Sequence, residues 1–166
     1  NNKIYATSNY GVVLGKGAYA ENYGEIAMSS SGTTDRGKFS ILHYNGTTTG
    51  NTPTELYLGG KENERFYINE DYESVFAIDY TACALNANDT QIWTNYGHVT
   101  YKFTNSTLTE VGHQSSTTIR DSALDYDVQF APISGTPDYI ELKVTGERLH
   151  TAYWSITLKV TEVRYA

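Results

Sequence analysis

Six of the nineteen carboxylates cluster in two close groups, Asp121, Asp125 and Asp127, and Glu70, Asp71 and Glu73. Two carboxyls held roughly 5–10 Å apart across a cleft are the machinery of glycoside hydrolysis. Asp125 and Asp127, two residues apart, would share one face of an extended strand. That face lies opposite Tyr126 and Val128, so the pair is expected to face solvent rather than a substrate. The four histidines, His43, His98, His113 and His150, are far apart in sequence, and no G-x-S-x-G, H-E-x-x-H or P-loop pattern accompanies them. Asn86, Asn88 and Asp89, like Asn69, Glu70 and Asp71, offer the oxygen ligands a calcium ion takes. Such clusters form turns on their own account, because Asn and Asp bond their own backbone. Neither an enzymatic activity nor a metal or other cofactor is therefore expected.

Carbohydrate contact fits the residue types better. Sugar rings present apolar C–H faces, so their sites combine exposed aromatics with amide, carboxylate or imidazole groups. Trp93, Asn95, Tyr96 and His98 form such a group within six residues, beyond an Asn-rich turn. Tyr57, Tyr139 and Tyr153 fall on the polar faces of alternating segments, where core packing does not need them. These seven residues are the ligand-binding candidates. The competing use for the last three tyrosines is packing between subunits, where Tyr is also enriched.

The elements that must position these groups are strands. Ile140, Leu142 and Val144 alternate with Tyr139, Glu141 and Lys143, and Trp154, Ile156, Leu158 and Val160 alternate with Tyr153, Ser155, Thr157 and Lys159. Val99, Tyr101 and Phe103, and Tyr126, Val128 and Phe130, follow the same period of two, which marks half-buried antiparallel strands. Phe39, Ile41 and His43 share one face of an earlier strand, and Thr54, Leu56 and Leu58 one face of the next. Residues 74–85 (SVFAIDYTACAL) are mostly small or apolar on both faces. Such a strand is either central in a core or covered by another subunit. Turns are expected at Asn45-Gly46, Gly59-Gly60, Asn86 to Asp89, Ser134-Gly135 and Gly146. No stretch shows helical periodicity with a cap, and the spacing predicts an all-β, jelly-roll-like antiparallel β-sandwich.

The opening stretch obeys another rhythm. Gly11-Val12-Val13-Leu14-Gly15 returns fourteen residues later as Glu25-Ile26-Ala27-Met28-Ser29. A small-residue repeat of this period reads as the coil of a β-solenoid or β-roll. So few coils bury little alone, which predicts a β-roll remnant over residues 1–36, the last rungs of a longer shaft, ending in a β-sandwich tip over 37–166. The start at Asn1-Asn2-Lys3, without initiator Met or leader, suggests a mature or excised fragment.

Composition narrows the partners. The net charge of −7, with twelve scattered Lys and Arg, argues against nucleic acid. No apolar run approaches the ~20 residues of a membrane-spanning helix. The lone Cys83 excludes an intramolecular disulfide, leaving packing to hold the fold.

The opening resembles the head repeat of trimeric autotransporter adhesins, "(S)xAxGxxAxAxGxxS", which also recurs in bacteriophage tail fibres. The remainder resembles a C-terminal domain of phage tail fibre and tailspike proteins. The matching stretches are Thr47 to Leu58 (TTTGNTPTELYL), Ser74 to Ile78, Val99 to Phe103, Val144 to Glu147, and Trp154 through Val160 to Val163. Two stretches depart from that pattern: Thr81 to Asn86, where the family carries a charged segment, and Gln91 to His98 (QIWTNYGH).

The resemblance implies a virion component at an extracellular tail-fibre tip. It would form a homotrimer joined to the rest of the fibre shaft at its N-terminus, and bind a bacterial surface polysaccharide or other host receptor without catalysis, nucleic acid or membrane insertion. The alternatives are a carbohydrate-binding module of a secreted glycan-degrading enzyme and a purely structural trimerisation cap.

Overall fold

A computed structural model describes residues 5–6, 10–15, 18–29, 37–88, 91–120 and 125–165. Asp121 and Asp89, singled out above for catalysis and cation binding, lie outside the described residues. The described chain is all-β, in mixed sheets.

Four short strands come first: β1 (Tyr5–Ala6), β2 (Val12–Leu14), β3 (Tyr19–Ala20) and β4 (Ile26–Met28). Their pairing explains the sequence repeat. β1 runs parallel to β3 with Tyr5 opposite Tyr19, and β2 runs parallel to β4 with Val12 opposite Ile26. Both offsets are fourteen residues, one coil. The coil interior holds Val13, Ala18, Ala20 and Ala27, all buried and all but one alanine, which is why the repeat is written in small residues. Gly15, at φ +102°, passes so close to the Ser29 carbonyl that no side chain fits between them.

β5 (Gly37–Thr49) then pairs antiparallel with β4, so the coil's ladder runs on into the sandwich without a break. β6 (Thr54–Glu55), β7 (Tyr57–Leu58) and β8 (Phe66–Tyr67) are short, whereas β9 (Glu73–Asn86), β10 (Ile92–Thr104) and β11 (Thr107–Arg120) are long. β12 (Asp127–Ile133), β13 (Tyr139–Thr145) and β14 (Thr151–Tyr165) complete the chain. One eight-stranded sheet runs β11-β10-β9-β14-β5-β4-β2, with β7 beside β5. A smaller sheet runs β12-β13-β6, with β8 also on β13. The β10–β11 hairpin turns through Asn105 and Ser106, both at positive φ (51° and 55°), a two-residue turn whose twist suits antiparallel strands.

The core lies between the sheets. β9 gives it Phe76, Ile78, Tyr80, Ala82 and Ala84, β14 gives Trp154, Ile156, Leu158 and Val160, and β13 gives Ile140, Leu142 and Val144. Phe39, Ile41 and His43 share a face as expected, and it is the outer one; Leu42 and Tyr44 fill the core from β5. Two sequence expectations need correction. Asn45-Gly46 is not a turn but mid-strand, where Gly46 leaves room for Leu56, whose Cδ2 would lie 2.6 Å from an added Cβ. Thr54 to Leu58 is not one strand, because β6 pairs with β13 and β7 with β5, carrying the chain between the layers.

Coil and sandwich are also joined by buried charge. Glu21 and Glu25 come from the coil, Lys38 from β5, Glu162 and Arg164 from β14. Lys38 Nζ lies 2.8 Å from Glu21, 3.0 Å from Glu25 and 3.6 Å from Glu162. Arg164 spans Glu162, at 2.7 Å from Nε, and Glu21. Glu25 also accepts from Ser40 Oγ and from the backbone N–H groups of Glu21 and Asn22 at 2.7 and 2.8 Å. Each charge removed from water thus has partners, the condition under which buried ions are tolerated.

Candidate functional site

β10 carries four of the ligand candidates, and its pleat divides them. Trp93 and Asn95 point inward; Tyr96 and His98 point outward. Trp93 is 2 % exposed and meets Trp154 and Tyr126 edge-on, with ring centroids 5.7 and 6.1 Å apart. Asn95 is buried too, its Nδ2 donating to Thr117 Oγ1 at 3.3 Å. Expected as a surface pair, both instead belong to the interior, because consecutive side chains of a strand alternate faces.

Outside, the ladder register sets two rows side by side. Asp79, His98 and Gln114 are neighbours across β9, β10 and β11, and Thr81, Tyr96 and Ser116 form the next row. Asp79, Tyr96, His98, Gln114 and Ser116 line a shallow recess of about 390 Å³. Tyr96 is 52 % exposed, its ring free to take an apolar sugar face. Gly97, between the two outward side chains, is needed on the inner side: a Cβ there would fall 2.6 Å from the Tyr80 ring.

His98 is held at both nitrogens, with Nδ1 2.9 Å from Asp79 Oδ1 and Nε2 3.0 Å from Thr100 Oγ1. This carboxylate–imidazole–hydroxyl chain has the connectivity of a hydrolase triad. It lies on an open sheet face, however, where the ladder occupies backbone N–H groups that an oxyanion would need. What the arrangement does provide is an imidazole fixed in orientation beside an aromatic ring, an amide and a hydroxyl. Those groups can accept and donate to a sugar's hydroxyls.

The remaining candidates divide in the same way. Tyr153, 54 % exposed, lies on the same outer face as Tyr96 but farther along, in register with Leu85 and Thr47. Tyr57 and Tyr139 come together elsewhere, around Arg65, whose guanidinium stands 5.2 and 4.9 Å from their ring centroids. Glu55 binds Arg65 through both oxygens, at 2.6 and 3.0 Å, and accepts the Tyr57 hydroxyl at 3.0 Å. Burial and that hydroxyl contact push the Tyr57 phenol upward. With its cation already neutralised, this cluster reads first as packing that staples β7 and β8 to β13.

Asp125 and Asp127 are solvent-exposed, as expected. Asp127 lies at the mouth of a cleft of about 530 Å³ between β11 and the smaller sheet, with Glu110, His113, Phe130, Glu141 and Lys143 also on its walls. Sequence reading missed this cleft because β11 is almost wholly polar and shows no core-facing rhythm. The Asn-rich clusters act as turn formers: Asn86 Oδ1 accepts from the Asn88 N–H at 2.9 Å, and Asn69 Oδ1 from the Asp71 N–H at 3.0 Å. Among the described residues no group of three or more His, Cys, Asp or Glu is placed to hold a metal, and no helix is long and apolar enough to cross a membrane.

Comparison with protein-family models, curated proteins and solved structures finds no match to this chain.

Proposed function

We propose that this chain is the distal domain of a trimeric bacteriophage tail fibre, and that it attaches the virion to a host surface glycan through the Tyr96–His98 recess, without covalent chemistry. The observation that carries the reading is the fourteen-residue offset in both parallel pairs, β1–β3 and β2–β4, running directly into a sandwich sheet. A solenoid coil merging with a closed sandwich is the geometry of a shaft end. The tail-fibre assignment itself rests on the sequence resemblance. Three copies on one rigid tip would turn weak single sites into firm attachment through effective concentration.

The test is a glycan array and host-cell binding with the intact chain, its mass followed by light scattering. A trimer that binds bacterial polysaccharide, and loses that binding in Tyr96→Ala and His98→Ala, supports the reading. Binding unchanged in both variants removes the recess from it. The closed core of a single chain favours a second reading, a monomeric carbohydrate-binding module; a monomer that still binds glycan through Tyr96 would establish that instead.

A further inference from the structure

We propose that the cleft between β11 and the smaller sheet is a second glycan subsite, one that takes an amino sugar bearing a free ammonium group. The inference extends the glycan-binding part of the function proposed above and rests on it. The cleft begins with an irregularity in β11. Thr100 lies opposite Gly112 and Tyr101 opposite Glu110, so Val111 is an extra residue, a β-bulge. Val99 and Tyr101 are buried in the core, and their partners His113 and Glu110 face the same way. Without the bulge, two residues three apart on a strand would point to opposite sides.

Two buried tyrosines reach these groups from the interior. Tyr101 Oη donates to Glu110 Oε2 at 3.2 Å, and Tyr80 Oη stands 3.5 Å from His113 Nε2. Phe130, on β12, meets the Tyr80 ring at 4.8 Å and the His113 ring edge-on at 6.1 Å. A sandwich strand ordinarily continues the apolar core along its inner face. Beyond Leu108 the inner face of β11 is polar instead, and it opens onto a volume of about 530 Å³. Its carboxylate and its imidazole are therefore oriented before any ligand arrives.

Charge and lining indicate the ligand. Glu110, Asp127 and Glu141 line the cleft against one lysine, Lys143, which is already paired with Glu141 at 2.7 Å. Asp127 accepts from Gln129 Nε2 at 2.8 Å, and among the described residues no cation pairs with it or with Glu110. Nor do these groups converge as metal ligands would, so the cation that fits is an organic one. An ammonium group brings three donors, and its contacts with carboxylates are charge-assisted, the strong kind. Ser115, Gln129 and His113 can pair with the neighbouring hydroxyls, and the Phe130 wall suits the apolar C–H face of a sugar ring. Ser115 also lines the Tyr96–His98 recess, so the two sites meet across the edge strand β11. One polysaccharide passing over that edge reaches both.

The test is isothermal titration of the intact chain with a glucosamine tetramer, its N-acetylated counterpart and tetralysine. The glucosamine tetramer alone should bind, with its affinity falling about tenfold or more in Glu110→Gln and likewise in Asp127→Asn. Both residues are exposed and both changes keep side-chain size, so the fold, followed by circular dichroism, should persist. Equal binding of the N-acetylated tetramer overturns the ammonium, and equal binding of tetralysine overturns the sugar. Affinity lost in Tyr96→Ala but kept in Glu110→Gln and Asp127→Asn overturns the cleft and leaves the recess standing. No binding of any probe overturns the subsite alone, since the host-polysaccharide array still decides the fibre-tip reading. A tetramer bound through Glu110 by a chain that binds no host polysaccharide supports the cleft and counts against that reading.

Discussion

Lys38 of the sandwich reaches across to Glu21 of the coil, Nζ to Oε2 at 2.8 Å, with its side chain only 4 % exposed. This contact fixes how the molecule responds to acid. Burial pushes Glu21 upward, but Lys38 and Arg164 outweigh it and hold its carboxyl at about 2, against an ordinary 4.5. A carboxylate lowered on folding contributes its full stability above the unfolded value and loses it as pH falls through the folded one. Stability is therefore expected to drop between about pH 4.5 and 2, by on the order of 2 kcal/mol once solvent screening is allowed for. Urea unfolding at stepped pH measures it, and Glu21→Gln should flatten that part of the profile.

Removing the cation is expected to be worse than removing any one carboxylate. Lys38→Met leaves Glu25 and Glu162 buried with a single remaining cation, Arg164, which does not contact Glu25 directly. Breaking a buried ion cluster from one side costs about 3–5 kcal/mol. Chemical denaturation would show this as a lower midpoint, and hydrogen exchange should locate the loss in β4 and β5.

The two faces of β10 predict opposite phenotypes for residues three apart. Trp93→Ala should cost about 3–5 kcal/mol, because it opens a cavity among Trp154 and Tyr126. Tyr96→Ala should change stability by less than about 1 kcal/mol, as exposed substitutions do, while reducing glycan binding. Thermal melts of both variants beside a binding assay separate the two roles.

Gly97 offers a test of the recess that alters none of its polar side chains. Gly97→Val would drive its side chain into the Gln114 backbone carbonyl of β11 and into the Tyr80 ring, the latter 2.6 Å from the first added carbon. Overpacking of this kind costs about 1–3 kcal/mol. The displaced strand should also move Tyr96 and His98 together, so binding is expected to fall further than in either single truncation.

How much of this was legible in the sequence depended on which force placed each residue. Where one face of a strand meets the core, alternation declares it: Ile140, Leu142 and Val144 and the run from Trp154 to Val160 are buried as their period predicts. The fourteen-residue repeat likewise foretold the ladder offset of β2 and β4. Periodicity does not say which way a face points when both faces carry apolar groups. Phe39 and Ile41 lie on the outer face, while Lys38 and Ser40 are buried on the inner one beside Glu25. The group from Trp93 to His98 failed as a single site for a related reason: proximity in sequence is not proximity on a strand face. Arg65, which gathers Tyr57 and Tyr139, gave no signal, since nothing local to it announces which rings will fold over it.

The passage of the sheet from coil to sandwich has a mechanical consequence. Strands lie across the solenoid axis, so a pull along that axis runs along the hydrogen bonds joining β4 to β5. Ile26, Ala27 and Met28 are paired there with Ile41, Ser40 and Phe39, and these pairs take the load together rather than one after another. Beside them the Lys38–Glu21 and Arg164–Glu21 contacts form a second link in parallel. Such a joint ties the coil to the sandwich through backbone and ionic contacts at once. Acid would loosen the ionic strand of that joint before the backbone one.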